Sequence, residues 1–196
     1  LAVTNSPATY DGTAKAAAVN GSVAGTVSNI QYDGSPIEPT NAGSYAINAD
    51  FVPDDAANYN ALINATAGSF VINKANPTLS ITNSPANYDG TPKTANVGSS
   101  VAGTVSNIVY NGSPTAPTDA GTYAVLADFS PNDLANYNSL TGAAAGNFVI
   151  QKAGVPTLSV TNTPLSFTGA AQAAVIVGAV PGTPSNILYN GVSTVP

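Results

Sequence analysis

The 196-residue chain has no cysteine, histidine, methionine or tryptophan, and its basic residues are only four lysines. Zinc, iron and copper sites are built largely from His and Cys, so a transition-metal centre has almost no ligands to use. Catalytic pairs of the Ser–His or Cys–His kind are excluded for the same reason. A net charge of −6 disfavours nucleic acids and anionic membranes, because both are bound by basic surfaces.

Charged residues make up only 7% of the chain, whereas hydrophobic residues make up 43%. No apolar run approaches the ~20 residues of a membrane-spanning helix, so no membrane insertion is predicted. The sequence starts directly with strand-like residues, and we recognise no signal peptide in it. Few charges combined with many Asn, Thr, Ser and Gly residues favour a secreted or cell-surface protein, and the regular spacing of Tyr and Phe argues against disorder.

The chain repeats itself with a period of 78 residues. The tripeptide Tyr10-Asp11-Gly12 returns at positions 88–90, and 50 of the 75 positions in Leu1–Ala75 are identical in Leu79–Ala153. Identity at this level indicates one fold present twice. A third copy follows with an offset of 79 residues and contains only the first half of the pattern.

The period divides the chain into three domains. Repeat 1 covers residues 1–76, repeat 2 covers 77–155, and the incomplete repeat 3 covers 156–196. The junctions are short and contain proline, which makes such linkers semi-rigid. We therefore expect the repeats to lie end to end.

Each repeat shows the pattern of half-buried β-strands. In segment 44–51 of repeat 1, apolar residues alternate with polar ones, which places the two sets on opposite faces of a strand. Asp33-Gly34 and Asn111-Gly112 are typical of tight turns. Further strands are predicted at Leu1–Thr4, Ala16–Val19, Asn29–Tyr32 and Phe70–Ile72. No helical period is present, apart from one possible turn near residues 54–58, so the prediction is an all-β protein made of antiparallel β-sandwiches.

A family resemblance supports this interpretation. Residues 119–123 read Asp-Ala-Gly-Thr-Tyr, and residues 41–45 differ from the same pattern only by Asn for Asp and Ser for Thr. Together with Tyr-Asp-Gly, the later Asn-Tyr pair and the closing Lys-Ala, the order of motifs resembles the bacterial MBG/YDG-type immunoglobulin-like repeats. The resemblance implies tandem immunoglobulin-like sandwiches of large secreted or surface proteins, including adhesins. Repeat 3 departs from it, since Phe167-Thr168-Gly169 replaces Tyr-Asp-Gly.

Six aromatic residues are expected to have structural roles. The resemblance implies that one tyrosine in each complete repeat donates a corner hydrogen bond to the backbone, while others fill the core or close the end of the sandwich. For Tyr59 and Tyr137, the alternative is that they form a sugar-binding platform. The six residues are Tyr45, Tyr123, Phe51, Phe129, Tyr59 and Tyr137.

Calcium is the one cofactor that the sequence could accommodate, because hard cations bind clustered oxygen atoms. The alternative is that the acidic residues cap a turn next to Pro53 and Pro131. The candidate calcium ligands are Asp50, Asp54, Asp55, Asp128 and Asp133. No catalytic residue is identified, and we expect no enzyme activity.

Three functions remain open at this level. The first is a structural spacer or stalk in a large extracellular bacterial repeat protein, whether an adhesin or a surface fibre, with neighbouring repeats of the same chain as its partners. The second is a subunit of an extracellular filament, in which another chain completes repeat 3 by self-association. The third is an adhesive module that binds carbohydrate or a surface.

Overall fold

A computed structural model describes all 196 residues and contains fourteen β-strands and no helix. The all-β prediction is therefore confirmed. The chain forms two compact units, Leu1–Gln151 and Lys152–Pro196, so repeats 1 and 2 share one unit. None of its elements is a helix that is both long and apolar enough to cross a membrane.

Repeat 1 consists of two small sheets. A two-stranded sheet pairs β1 with β3, and a four-stranded sheet has the order β2-β6-β5-β4. All pairs are antiparallel except β2 with β6, which is parallel, so the predicted antiparallel sandwich has one exception. The strands are β1 (Ala2–Val3), β2 (Ala8–Thr9), β3 (Val19–Asn20), β4 (Gly25–Tyr32), β5 (Gly43–Pro53) and β6 (Leu62–Asn73).

Repeat 2 has the same arrangement, with a sheet of β7 and β9 and a sheet of order β10-β11-β12-β8. Again only the short pair β8–β12 is parallel. Its strands are β7 (Leu79–Ile81), β8 (Ala86–Asn87), β9 (Val97–Ser99), β10 (Gly103–Tyr110), β11 (Gly121–Pro131) and β12 (Leu140–Gln151).

In repeat 1, the loop between β5 and β6 contains a single hydrogen-bonded turn, in which Tyr59 N donates to Asp55 O at 3.0 Å.

Each complete repeat has a hydrophobic core of its own, formed by side chains from both sheets. Every second residue is buried from Ile47 to Pro53 of β5 and from Val125 to Pro131 of β11, in agreement with the apolar alternation of the sequence. In both cores a phenylalanine is fully buried, Phe70 in repeat 1 and Phe148 in repeat 2. Burying such apolar area is the main force that holds the two sheets together.

A tyrosine closes each core with a polar bond. The hydroxyl of Tyr110 accepts a hydrogen bond from Ala95 N at 2.8 Å, and its ring packs edge-on against Phe148 at 6.2 Å. Tyr32 makes the corresponding bond in repeat 1. A buried N–H therefore finds its acceptor inside the core, where an unsatisfied donor would be costly.

Repeat 3 forms the second unit with only two strands, β13 (Leu158–Val160) and β14 (Ile176–Gly178), which pair antiparallel. They correspond to β7 and β9 of repeat 2. None of the residues in this unit is buried. The half repeat therefore has strands but no core.

Candidate functional site

Repeats 1 and 2 meet at a defined set of contacts, which we call the joint. A loop of repeat 2 between β11 and β12 lies against the end of β6 and the turn before β5. Two backbone hydrogen bonds connect them: Ala75 N donates to Asn136 O, and Asn138 N donates to Ala75 O, both at 2.9 Å. The joint comprises Tyr10, Asn41, Ala42, Lys74, Ala75 and Asn76 of repeat 1, and Asp133, Leu134, Asn136, Tyr137 and Asn138 of repeat 2.

Asn136 lies at the centre of the joint and is the only buried polar residue, with 6% of its surface exposed. Its Oδ1 accepts a hydrogen bond from Ala42 N at 2.8 Å. Its Nδ2 donates to Asp133 Oδ2 at 2.9 Å and to Asn41 Oδ1 at 3.3 Å. One amide group thus connects the loop of repeat 2 to the backbone and a side chain of repeat 1.

Side chains around this centre extend the contact. Lys74 Nζ donates to the carbonyl of Leu134 at 2.6 Å, and Asn138 Nδ2 donates to Asn76 Oδ1 at 2.7 Å. The rings of Tyr10 and Tyr137 pack edge to face, with centroids 5.3 Å apart. Such aromatic pairs stabilise contacts beyond the area they bury.

The joint contributes to a raised pKa of Tyr10, whose ring also packs against the core of repeat 1. Partial burial raises the pKa of its hydroxyl above the ordinary value of 10.0, and the neighbouring Tyr137, Asp133 and Asp11 raise that pKa further. Each of these effects disfavours the phenolate. Docking of the two repeats therefore favours the neutral form of Tyr10.

We expect the joint to weaken at high pH. Because the pKa of Tyr10 is raised in the docked state, its contribution is fully present below pH 10.0 and is lost as the pH rises through the docked-state pKa. Carbon-13 NMR titration of labelled tyrosines should give Tyr10 a midpoint above 10.0, and Asn136→Ala should move it down towards that value. An unchanged midpoint in the variant would show that the shift has a source outside the joint.

The corresponding loop of repeat 1 has the same internal structure without a docked neighbour. Asn58 Nδ2 donates to Asp55 Oδ2 at 2.8 Å, as Asn136 Nδ2 does to Asp133 in repeat 2. Asn58 is exposed, and Tyr59 has 50% of its surface exposed. The loop therefore has the same internal hydrogen bond with and without a docked neighbour, and a preformed loop loses less entropy on docking.

The acidic residues predicted as calcium ligands occupy two kinds of place. Asp50 and Asp128 lie on β5 and β11 beside an irregularity of the neighbouring strand. Asp50 accepts hydrogen bonds from Asn29 Nδ2 at 2.6 Å and from Asn64 N at 2.7 Å. These bonds lower the pKa of Asp50, with the Asn29 side chain as the largest cause, and Asp128 has its pKa lowered in the same way.

The remaining candidates lie in the loops. Asp55 and Asp133 each brace the asparagine three residues later, and the backbone N–H of Asp54 donates to Ala24 O at 3.0 Å. The structure brings together no group of three or more acidic side chains that could hold a metal ion. Calcium binding by these residues stays a prediction.

Acid should destabilise both complete repeats. Asp89 accepts hydrogen bonds from Lys93 Nζ and Thr91, which hold its pKa well below the ordinary 3.8, and Asp11 is bound in the same way by Lys15 and Thr13. Since these pKa values are lowered by folding, the stability they contribute is present above pH 3.8 and is lost as the pH falls through the lowered values. Urea denaturation midpoints should therefore decrease below about pH 4.

Repeat 3 supplies the matched control for this prediction. There Thr168 and Gln172 occupy the positions of Asp89 and Lys93, and Gln172 Nε2 donates to Thr168 Oγ1 at 3.0 Å. The double variant Asp89→Thr/Lys93→Gln copies this uncharged pair. It should lose the part of the acid dependence that this site contributes, and an unchanged pH profile would contradict the assignment.

The six aromatic residues lie in three environments. The hydroxyls of Tyr45 and Tyr123 donate to the carbonyls of Asn41 and Asp119 at 2.8 and 2.9 Å. Phe51 and Phe129 are buried. Tyr137 packs in the joint, whereas Tyr59 is half exposed.

The buried ring of Phe129 requires glycine at position 103. A Cβ added at Gly103 would lie 2.5 Å from the Phe129 ring, so only glycine fits beneath it.

The sequence pattern did not identify Asn136 as the centre of a contact. A signal was present, since the Asn-Tyr-Asn and Lys-Ala segments recur in both complete repeats although neither forms part of an alternating strand. Asn41 takes part in both the tyrosine corner and the joint. Its backbone carbonyl accepts a hydrogen bond from the Tyr45 hydroxyl, and its side-chain oxygen accepts one from Asn136 Nδ2. The corner at the start of β5 therefore supports the joint directly.

Comparison with known proteins gives a family. A family model described as the MBG domain matches residues 1–76 and again residues 77–154. No curated protein matches the chain, and no solved structure matches it. The MBG domain is a repeat module rather than a family of enzymes. Because its two copies cover most of the sequence, the chain belongs to the MBG domain family.

Proposed function

We propose that this chain is a structural spacer, a stalk segment of a large extracellular bacterial protein such as an adhesin or a surface fibre. The observation that carries the proposal is the joint. A spacer must hold its successive repeats at a fixed orientation, and the joint provides backbone pairing, a buried amide network and an aromatic contact between repeats 1 and 2.

The composition supports the same role. With charged residues at 7% of the chain, long-range electrostatic interactions are few, so the contact between repeats should depend little on ionic strength. The joint itself consists mainly of hydrogen bonds between uncharged groups. The core of each repeat is separate, so each repeat can keep its own fold while the joint sets its orientation.

The test is the length of engineered arrays. Chains carrying two, four and six copies of residues 1–78 are compared by small-angle X-ray scattering with arrays whose copies are separated by flexible Gly-Ser linkers. In a spacer the maximum dimension grows in proportion to the number of repeats, whereas flexible chains extend roughly with the square root of their length. Equal growth in both series would reject the stalk.

The adhesive alternative has one observation in its favour, the exposed ring of Tyr59 beside Asn58 and Asn60. The ring of its counterpart Tyr137 packs against Tyr10. A ligand could therefore reach this tyrosine only in a repeat whose loop has no docked neighbour. A glycan array that shows saturable binding to the chain, abolished by Tyr59→Ala, would favour adhesion over the spacer.

A further inference from the structure

Two tyrosines from different repeats meet in the joint. The ring centroids of Tyr10 and Tyr137 lie 5.3 Å apart, and the ring planes are 85° apart. Of the three aromatic pairs in the structure, this is the only one made of two tyrosines, since each of the others pairs a tyrosine with a phenylalanine inside one core. The two phenol groups are therefore neighbours only because the repeats dock.

Both rings of this pair are within reach of solvent. Tyr10 and Tyr137 are half-buried, whereas the core tyrosines Tyr32 and Tyr110 are buried, with 5% and 6% of their surface exposed. A reagent in solution therefore has access to the pair in the joint, while it is shielded from the tyrosines of the two cores.

The charges around Tyr10 favour the loss of an electron from its ring. The carboxylates of Asp133 and Asp11 are close enough to act electrostatically on its hydroxyl. Negative charges beside a neutral phenol favour removal of an electron, because the species left behind is positive until its proton leaves. Tyr10 therefore combines access to solvent, a second phenol in contact and an environment that favours oxidation.

We propose that Tyr10 and Tyr137 form a modification site, at which a one-electron oxidant such as a haem peroxidase with hydrogen peroxide joins the two rings as dityrosine. Each phenol loses one electron and one proton, and the two radicals form a carbon–carbon bond between the positions ortho to their hydroxyls. The hydrogen on each of these carbons then moves to the phenol oxygen, and both rings become aromatic again. One molecule of hydrogen peroxide takes up the two electrons and two protons and becomes two molecules of water.

Proximity selects this pair over encounters between separate chains. Groups that are held together and well oriented in one molecule react as if present at about 10⁵–10⁸ M. The edge-to-face rings must tilt before the ortho carbons meet, so the advantage is smaller than in an ideal geometry. In dilute protein it still favours coupling within the chain.

The bond would connect repeats 1 and 2 covalently at a place where only non-covalent contacts hold them. Tyr88 and Tyr59 are the counterparts of the pair in the other complete repeat, so a joint between any two complete repeats of this type contains the same two phenols. Repeat 3 has Phe167 at the position of Tyr10, and a phenylalanine has no hydroxyl from which to form the radical. The modification depends on the joint but not on the stalk function.

The experiment oxidises the full chain with a haem peroxidase and limiting hydrogen peroxide, and N-acetyltyrosine treated in parallel confirms that the oxidant is active. A protease that cleaves after lysine separates the two tyrosines, because Tyr10 lies in the peptide 1–15 and Tyr137 in the peptide 94–152. We expect dityrosine fluorescence from a monomeric chain that is lighter by two hydrogen atoms, and we expect these two peptides to be joined.

Conservative variants locate the bond. Tyr10→Phe and Tyr137→Phe keep the rings and remove the hydroxyls, and each should lower the yield of the joined peptides by at least about tenfold. Tyr88→Phe and Tyr59→Phe change the counterparts outside the joint and should leave the yield unchanged. Asn136→Ala, which opens the joint, should lower it.

Joined peptides 1–15 and 94–152 that are lost in both joint variants support the modification site. The proposal is overturned if an active oxidant gives no joined peptides, if the joint variants give the same yield as the original chain, or if the products are mainly linked dimers. None of these results affects the spacer function, because the scattering measurements on arrays are made without oxidant.

Discussion

Replacing Phe148 by alanine is expected to destabilise repeat 2 by about 3–5 kcal/mol. Phe148 is fully buried, and its ring lies against Tyr110 in the centre of the core. Removing the ring loses its burial energy and leaves a cavity that the rigid sheets can fill only in part. Since a small domain is stable by only about 5–15 kcal/mol, the loss is a large part of the total.

Hydrogen exchange of the backbone amides, monitored during urea denaturation, measures this effect separately for each repeat. Exchange should accelerate in β10, β11 and β12, while the β6 amides around Phe70 stay protected because repeat 1 has its own core. The matched control is Phe167→Ala, which removes a ring that is 94% exposed and should change little. Equal acceleration in both repeats would show that the two cores unfold as one cooperative unit.

The parts of the fold that follow from the sequence are those with a long alternating pattern. The apolar alternation of 44–51 predicts a strand, and β5 covers Gly43–Pro53 with its buried residues on the expected face. The bounds of the short strands are predicted less accurately. Leu1–Thr4 and Ala16–Val19 were expected, whereas β1 and β3 are the two-residue strands Ala2–Val3 and Val19–Asn20. Their bounds depend on pairing with each other, which local sequence does not specify.

The parallel pairs β2–β6 and β8–β12 had no sequence signal either. Ala8–Thr9 is too short to show a period, and it pairs with the end of a strand more than sixty residues away. The geometry of a hairpin can be predicted from its turn, whereas a parallel pair depends on the path of the whole chain. A sandwich could therefore be predicted, but not its full strand order.

The joint, too, could not be predicted from the local sequence. Asn58 and Asn136 occupy the same position of identical Asn-Tyr-Asn segments, yet one is exposed and the other is 6% exposed. The difference arises because Asn136 is docked against repeat 1, where it accepts a hydrogen bond from Ala42, 94 residues away in the chain. No local pattern distinguishes the two asparagines, because the partner belongs to another repeat.

Replacing Asn136 by alanine is expected to separate the two repeats without unfolding them. The change removes the acceptor of Ala42 N and the donor to Asp133, and a buried group left without its partner costs about 1–3 kcal/mol. The backbone bonds of Ala75, the hydrogen bonds of Lys74 and Asn138 and the contact between the tyrosine rings remain, and we expect them not to hold the joint closed without the buried amide. NMR relaxation should then show repeats 1 and 2 tumbling with different correlation times, while urea midpoints of the separate cores change little.

The chain contains its own control for this prediction. Asn58→Ala removes the same side chain from the same loop, with the same internal bond to Asp55, but at a place where no repeat is docked. Any loss of loop stability is common to both variants, so the difference between them isolates the contact between repeats. If Asn58→Ala mobilised the two repeats as much as Asn136→Ala, the amide network would be a loop brace only, and the stalk would have to derive its rigidity from the aromatic and Lys74 contacts instead.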